Sequence, residues 1–176
     1  MIQVIPGQLT DQFDTELVPL GLVVEGDPRR GDKYVFYKNA CYADDGTTEQ
    51  SILDGEVIMQ CTRAADANAM FEGTNNASLA VIKLGAAIAI STIEFGKYGF
   101  AQVRGVCAFG RTDTAGVAEG DPLIADTNDG ELDTVAAGEE HLVMGFAQKD
   151  DTTIVDDQGD DQEGVELVLT NCLWGT

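Results

Sequence analysis

Closely spaced turn signals are the feature that most constrains the fold of this chain. In residues 118–135, AEGDPLIADTNDGELDTV, a Gly-Asp-Pro turn precedes a short apolar run, and an Asn-Asp-Gly turn precedes an alternating one. Turns of this kind reverse the chain and leave room between them for strands of about five residues. We therefore predict strands at 122–126 and 131–135, joined by a tight turn.

Runs of the same type occur on both sides of this stretch. Apolar and alternating patterns predict further strands at 20–26, 32–40, 56–61, 78–92, 97–110, 141–148 and 165–174. The first two are expected to form a hairpin. Segment 78–92 carries both helix-favouring alanines and β-branched residues, and Gly85 at its centre favours a strand with a bulge. In the last strand, Val165, Leu167 and Leu169 are predicted to share one face.

The remaining segments are predicted as two loops, a helix and an arm. Residues 43–55 and 149–164 are polar and turn-rich, whereas 62–73 is rich in alanine and ends at a glycine, as a short helix would. The predicted fold is mainly β: a small β-sandwich or barrel at 20–176, with an extended N-terminal arm at 1–19 and at most one or two short helices. A division into two β subdomains, 20–95 and 96–176, stays open.

The charge balance excludes several classes of partner. Asp and Glu total 31 against 10 Lys and Arg, which gives a net charge of −21. A nucleic-acid backbone or an anionic membrane surface would repel such a chain, because both require a basic footprint. No apolar run is long enough to span a membrane. We therefore expect neither nucleic acid nor membrane as a partner, and a basic protein surface fits the charge better.

No catalytic or metal-binding constellation is evident, so we predict no catalytic residues, no metal site and no cofactor. None of the serines lies in a G-x-S-x-G elbow, and the single histidine, His141, is expected at a surface turn. The four cysteines are widely spaced, which predicts reduced core residues rather than a zinc site. The run at 126–131 fails the EF-hand pattern because its glycine comes one position early; irregular calcium binding by 156–163 stays open.

The order of several short motifs resembles that of head-decoration, or cement, proteins of tailed bacteriophages. The segments are VPLGLVVEGDPRRGDKYVFYKNA, IEFGKYGFAQVRGVCAFG, GDPLIAD, DGELDTV, MGFAQ and EGVELVLTN. Within the second, the pattern G-x-Y-G-[FW]-x-Q-V-x-G is matched by Gly96, Tyr98, Gly99, Phe100, Gln102, Val103 and Gly105. The similarity extends over residues 18–172, although the acidic insert at 149–163 is not part of the pattern.

The resemblance implies a virion structural protein and not an enzyme. Such a protein binds the outer surface of the assembled capsid, as a homotrimer or homodimer, and clamps neighbouring subunits of the major capsid protein. It would be made in the cytoplasm of the bacterial host and would end on the capsid exterior. Two other classes remain as alternatives: a carbohydrate- or host-surface-binding virion module, with or without calcium, and a glycan hydrolase with a carboxylate pair.

The N-terminal arm is the predicted contact region. We expect it to lay Ile2, Val4, Ile5 and Phe13 onto a capsid subunit or a neighbouring copy, with its backbone groups satisfied by pairing to an edge strand. Each such contact can be weak, because a symmetric oligomer engages several sites at once.

Overall fold

The computed structural model describes residues 8–27, 29–43, 46–61, 72–76, 80–112, 116–126, 130–138, 142–155, 159 and 161–170. Eleven strands lie within them: β1 Val23–Glu25, β2 Lys33–Asn39, β3 Val57–Cys61, β4 Glu72–Thr74, β5 Ala80–Ala89, β6 Tyr98–Arg111, β7 Pro122–Ala125, β8 Leu132–Thr134, β9 Gly145–Ala147, β10 Thr152–Val155 and β11 Asp161–Leu169. No α-helix occurs among the described residues. The predicted mainly-β fold is therefore confirmed.

Five strands form a first closed ring. The pairing runs β2–β4–β3–β5–β6, and β6 pairs back with β2 in antiparallel register from Lys33↔Arg104 to Lys38↔Tyr98, with a register shift between Lys33 and Tyr34. Only the β2–β4 contact is parallel. Strand β1 adds to β2 as the predicted hairpin and has no other strand partner among the described residues. Closing a sheet on itself removes free edges, which is one way that all-β proteins avoid aggregation.

A second ring starts from the same strand. β6 pairs with β11, and the path continues through β9, β7 and β8. A parallel bridge between Leu132 on β8 and Thr112, just after β6, completes this ring. Strand β10 pairs with β11 alone. The 14 residues of β6 thus serve both rings, and a subdomain boundary at 95/96 would fall just before this shared strand.

Successive residues of a strand point to opposite faces of the sheet, so adjacent residues belong to different apolar cores. On β2, Tyr37 points into the first ring while Phe36 points outward into a separate aromatic cluster. On β3, Ile58 points into the first ring whereas Val57 belongs to the core of the second. The wall made by β3 and β5 therefore lies between the two cores. The core of the second ring is built mainly from β7, β8, β9 and β11 and includes Val165, Leu167 and Leu169, whose shared face is confirmed.

Two predicted segments differ from the structure. Glu72-Gly73-Thr74 is a strand and not the end of a helix, because it pairs with both β2 and β3; residues 62–71 lie outside the described part. The predicted loop at 149–164 contains β10 and the start of β11. Its β-branched run at 152–155 was a strand signal that the surrounding aspartates obscured. Residues 171–174 of the predicted last strand lie outside the described residues.

Candidate functional site

The N-terminal segment lies on the outer face of the first ring. Phe13 forms an antiparallel bridge with Tyr98: each residue's amide donates to the other's carbonyl, at 2.9 and 3.0 Å. The Phe13 ring lies 6.3 Å from the Phe36 ring and 6.5 Å from the Phe100 ring, centroid to centroid. These are normal distances for attractive aromatic pairs. Residue 13 is thus held by its backbone and by its side chain.

Polar contacts fix the same segment from the other side. The amide of Glu94 donates to the side-chain oxygen of Gln12 at 3.0 Å. The Lys97 ammonium lies 2.8 Å from a carboxylate oxygen of Asp14 and 3.2 Å from one of Glu94. Hydrogen bonds to these two carboxylates raise the pKa of Lys97. Because the group is exposed, the contacts contribute orientation more than stability.

The predicted contact residues have different positions relative to this face. Phe13 packs on its own domain, together with Leu9, Val18, Leu20 and Leu22, so it anchors the segment to its own chain. Ile2, Val4 and Ile5 lie outside the described residues. Contact of these four residues with another molecule stays a prediction. Sequence reasoning missed two exposed apolar side chains: Leu17 in this segment is 53% exposed, and Val23 at the start of β1 is 43% exposed.

The residues that carry the family resemblance have roles in the fold. A side chain at Gly99 would collide with Ile93, whose Cγ1 lies 2.7 Å from the Cβ position. The side-chain amide of Gln102 donates from Nε2 to the backbone carbonyls of Arg104 and Val106, both at 3.1 Å. Gly105 has a φ of +95°, and its Cβ position is 2.8 Å from Asp32 Cα. The pattern therefore marks the place where β6 passes from the first ring to the second.

A buried polar group links the two rings and is the main candidate for chemistry. One carboxylate oxygen of Glu56 accepts from the Leu53 amide at 2.8 Å and from the Asn75 side chain at 2.7 Å. The Cys41 thiol donates to the Asn75 side-chain oxygen at 2.6 Å. Asn75 in turn accepts the Gly130 amide through its carbonyl, at 2.9 Å. The group thus joins β3, β4 and the loop before β8.

The electrostatics of this group favour a structural role. Burial raises the pKa of Glu56 and is opposed by its hydrogen bonds and by Arg111. Burial also raises the pKa of the Cys41 thiol. Nucleophilic cysteines require the opposite shift, because the thiolate is the reactive form. Cys41 and Cys107 are free and buried, as predicted for reduced core cysteines.

Several carboxylates that could have served as acid–base groups cap backbone amides. Asp151 accepts from the Gly116 amide at 2.8 Å, and Asp150 accepts from the Glu119 amide at 2.9 Å. Within the part of the chain that the structure describes, no three His, Cys, Asp or Glu side chains are grouped to hold a metal ion. His141 lies outside that part, as do residues 156–158 and 160 of the calcium candidate.

Comparison with family models, with curated proteins and with solved structures finds no match. None of the described residues forms a helix long and apolar enough to cross a membrane.

Proposed function

We propose that this protein is a capsid decoration protein that binds the outer surface of an assembled phage head and clamps neighbouring major capsid protein subunits. The observation that carries the proposal is the docked N-terminal segment. Backbone hydrogen bonds at Phe13 and the ion pair at Asp14 fix it to a closed ring of strands. Phe13 and Asp14 thus form a fixed attachment point, and a clamp requires such a point next to its contact residues.

The proposed contact is made by the residues upstream of this anchor. Ile2, Val4 and Ile5 would pack on a capsid subunit or on a neighbouring copy, and backbone groups would pair with an edge strand of that molecule. Fixing the segment as far as residue 8 limits the chain entropy that such binding would cost. A homotrimer or homodimer would then present two or three arms together, so weak single contacts would give firm attachment.

The acidic surface supports a protein partner with a basic surface. With a net charge of −21, the protein would be drawn to basic patches on a shell and repelled by free nucleic acid. Added salt is expected to slow the association. The carbohydrate- or host-surface-binding module remains an alternative result of the experiment below.

The test is binding of purified protein to capsid shells that lack it, measured by co-sedimentation. Deleting residues 2–7 removes the proposed contact while keeping Phe13 and the docked segment. We expect occupancy to fall strongly and the melting temperature to remain unchanged. The triple substitution of Ile2, Val4 and Ile5 by serine should have the same effect.

Leu17→Ser is the matched control, because it removes an exposed apolar side chain of the same segment outside the proposed contact. Unchanged occupancy after the deletion would refute the arm mechanism. Failure of the intact protein to bind shells, together with binding to a glycan panel, would refute capsid decoration and favour the alternative module.

A further inference from the structure

The first ring closes through its parallel strand pair, and two side chains that can react with each other lie just beyond that pair. The pairing of β2 with β4 ends with Asn39 opposite Gly73. The Ala40 amide then donates to the Gly73 carbonyl at 3.0 Å, so the two segments stay side by side after the strands end. Continuing the same register by two residues places Cys41 opposite Asn75.

The sulfur of Cys41 lies against the side-chain carboxamide of Asn75. The Cys41 thiol donates to Asn75 Oδ1 at 2.6 Å, which is shorter than the usual range of about 2.7–3.2 Å for N–H···O bonds, although sulfur is the larger atom. Because Oδ1 is bonded to Cγ, the sulfur is at most about 3.8 Å from that carbon. Productive intramolecular reactions begin with the reacting atoms about 3–3.5 Å apart. The thiol is therefore within reach of the carbonyl carbon.

Hydrogen-bond donors surround the Cys41 sulfur on the side of the turn that follows β4. The Thr74 hydroxyl and the backbone amides of Asn75 and Asn76 donate to it, and these bonds oppose the rise in the thiol pKa that burial causes. Negative charge that develops on the sulfur as it attacks is therefore stabilised by groups already in place. A single intramolecular reaction needs no standing thiolate, because the two reacting groups are held in contact.

Glu56 holds the nitrogen end of the same carboxamide. Its Oε2 accepts from Asn75 Nδ2 at 2.7 Å and from the Leu53 amide at 2.8 Å. Burial raises the pKa of Glu56, which favours the protonated carboxyl. A carboxylic acid in contact with Nδ2 can supply the proton that a departing ammonia requires. The Asn75 carboxamide thus lies between a nucleophile and an acid.

We propose that Cys41 and Asn75 form an internal thioester that closes the first ring covalently. The bond between Cys41 Sγ and Asn75 Cγ forms while the thiol proton passes to Oδ1. The bond between Cγ and Nδ2 then breaks as Glu56 protonates Nδ2, and ammonia leaves. Glu56 takes up the proton left on Oδ1 and is restored. The net change is the loss of one ammonia from the chain, and no other reactant is consumed.

Burial protects such a bond from hydrolysis. Cys41 is fully buried in the core of the first ring with Tyr37 and Ile52, and Asn75 is buried beside it. The thioester would join two positions 34 residues apart at the parallel closure of the ring, which restricts the unfolded chain. The inference concerns the chain itself and stands whether or not the protein binds a capsid.

The test is an intact-mass measurement of the purified full chain, unfolded in mild acid. We expect a mass about 17 Da below that of the sequence, which is the mass of one ammonia. Alkylation with N-ethylmaleimide in denaturant should label one thiol fewer than the four cysteines of the chain. Hydroxylamine should cleave the thioester and restore the missing thiol.

Three variants assign the bond to these residues. Cys41→Ala should have the full mass of its own sequence. Cys107→Ala is the matched control and should keep the mass deficit, because the buried Cys107 thiol donates to the Phe109 carbonyl at 3.2 Å and not to a carboxamide. Glu56→Gln keeps an acceptor for Asn75 but cannot supply a proton, so it should slow the mass loss at least about tenfold. Circular dichroism verifies that each variant is folded.

Two results would overturn the inference. One is a wild-type mass equal to that of the sequence with every cysteine labelled. The other is a mass deficit that persists in Cys41→Ala, because cyclisation of an asparagine onto its own backbone loses the same mass without consuming a thiol. Reaction at the wild-type rate in Glu56→Gln would overturn the role assigned to Glu56.

Discussion

The outward-facing aromatic residues of the two rings differ in how far they are exposed to solvent. On the first ring, Phe36 and Phe100 are buried, at 0% and 2% exposure, because the chain's own N-terminal segment packs over them. On the second ring, Phe146 remains 41% exposed, and none of the described residues packs over it as Phe13 packs over Phe36. Both faces are regular sheet with apolar residues in register, so the difference lies in what covers them.

An apolar face is covered more readily when the covering segment belongs to the same chain. A segment of the same chain is present at a high effective concentration, so it stays docked with few contacts. A face without such a segment leaves its outward apolar side chains partly exposed to solvent. Truncating a ring on the first face is therefore expected to cost more folding stability than truncating one on the second.

The largest effect is expected from removing the centre of the covered face. Phe36→Ala deletes a fully buried ring that packs against Phe13, Tyr98 and Phe100, and it should lower the free energy of unfolding by about 3–5 kcal/mol. Phe146→Ala, the matched change on the open face, should cost less than about 0.5 kcal/mol at low protein concentration. Urea denaturation of both variants measures the difference. Equal losses of unfolding free energy in the two variants would show that the two faces contribute equally to stability.

The next largest effect is expected at the point where β6 leaves one ring for the other. Gly105→Ala places a methyl group against Asp32 at a φ of +95°, and it should cost about 1–3 kcal/mol for the backbone alone, with the collision added. Gly31→Ala is the control, because its φ is +68° but no atom lies within 4 Å of its Cβ position. It should cost only about 1–2 kcal/mol. Thermal melts compare the stability lost by the two variants. A larger loss for Gly31→Ala than for Gly105→Ala would contradict the close contact between β6 and Asp32 at Gly105.

A smaller loss of stability is expected when Phe13, the residue that covers the first face, is truncated. Phe13→Ala leaves the backbone bridge to Tyr98 but removes half-buried ring contacts, so the loss should be about 1–2 kcal/mol. Amide exchange at Tyr98 should accelerate, because its donor pairs with the Phe13 carbonyl. Exchange at Val168, which faces Phe146, provides the internal control and should not change. Acceleration at both positions would mean that the rings unfold together.

The smallest effect is a pH dependence of the unfolding free energy, caused by Glu56 in the buried polar group that links the two rings. Burial raises the pKa of Glu56 above its ordinary value of 4.5, so the folded state favours the protonated carboxyl. Its contribution to stability is therefore present at low pH and is lost as pH rises from the ordinary carboxyl range through the raised pKa. Glu56→Gln keeps an acceptor for Leu53 and Asn75 but cannot ionise.

The difference in unfolding free energy between wild type and Glu56→Gln isolates this titration from the general repulsion of an acidic chain. We expect the Glu56→Gln variant to gain stability relative to the wild type as pH rises toward neutrality. Chemical denaturation at a series of pH values measures the difference. A difference that stays constant with pH would show that Glu56 titrates normally.

Much of the strand pattern follows from local sequence, whereas the candidate sites do not. The alternation of Val165, Leu167 and Leu169 and the hairpin of β1 with β2 were predicted from period and turn chemistry. Glu72 and Gly73 were assigned to the end of a helix, because the strand conformation of Glu72–Thr74 depends on two partners that are distant in sequence. Phe13 was identified as a contact residue, but a lone aromatic residue in an arm carries no signal of whether it packs on its own domain. No local pattern brings Phe146 into register with Pro122 and Val168 on the neighbouring strands.

The sequence by itself determined the class of structure and the inward or outward face of most strands, because turns and alternation are properties of neighbouring residues. Only the tertiary structure decided that the strands close into two rings, that both rings share β6, and that the described residues cover Phe36 and Phe100 on one outward face but leave Phe146 on the other exposed. These outcomes depend on pairings such as Thr112 with Leu132 and Phe13 with Tyr98. Pairings of this kind become favourable only when the whole set of strands is assembled, since each alone would not offset the entropy of closing its loop.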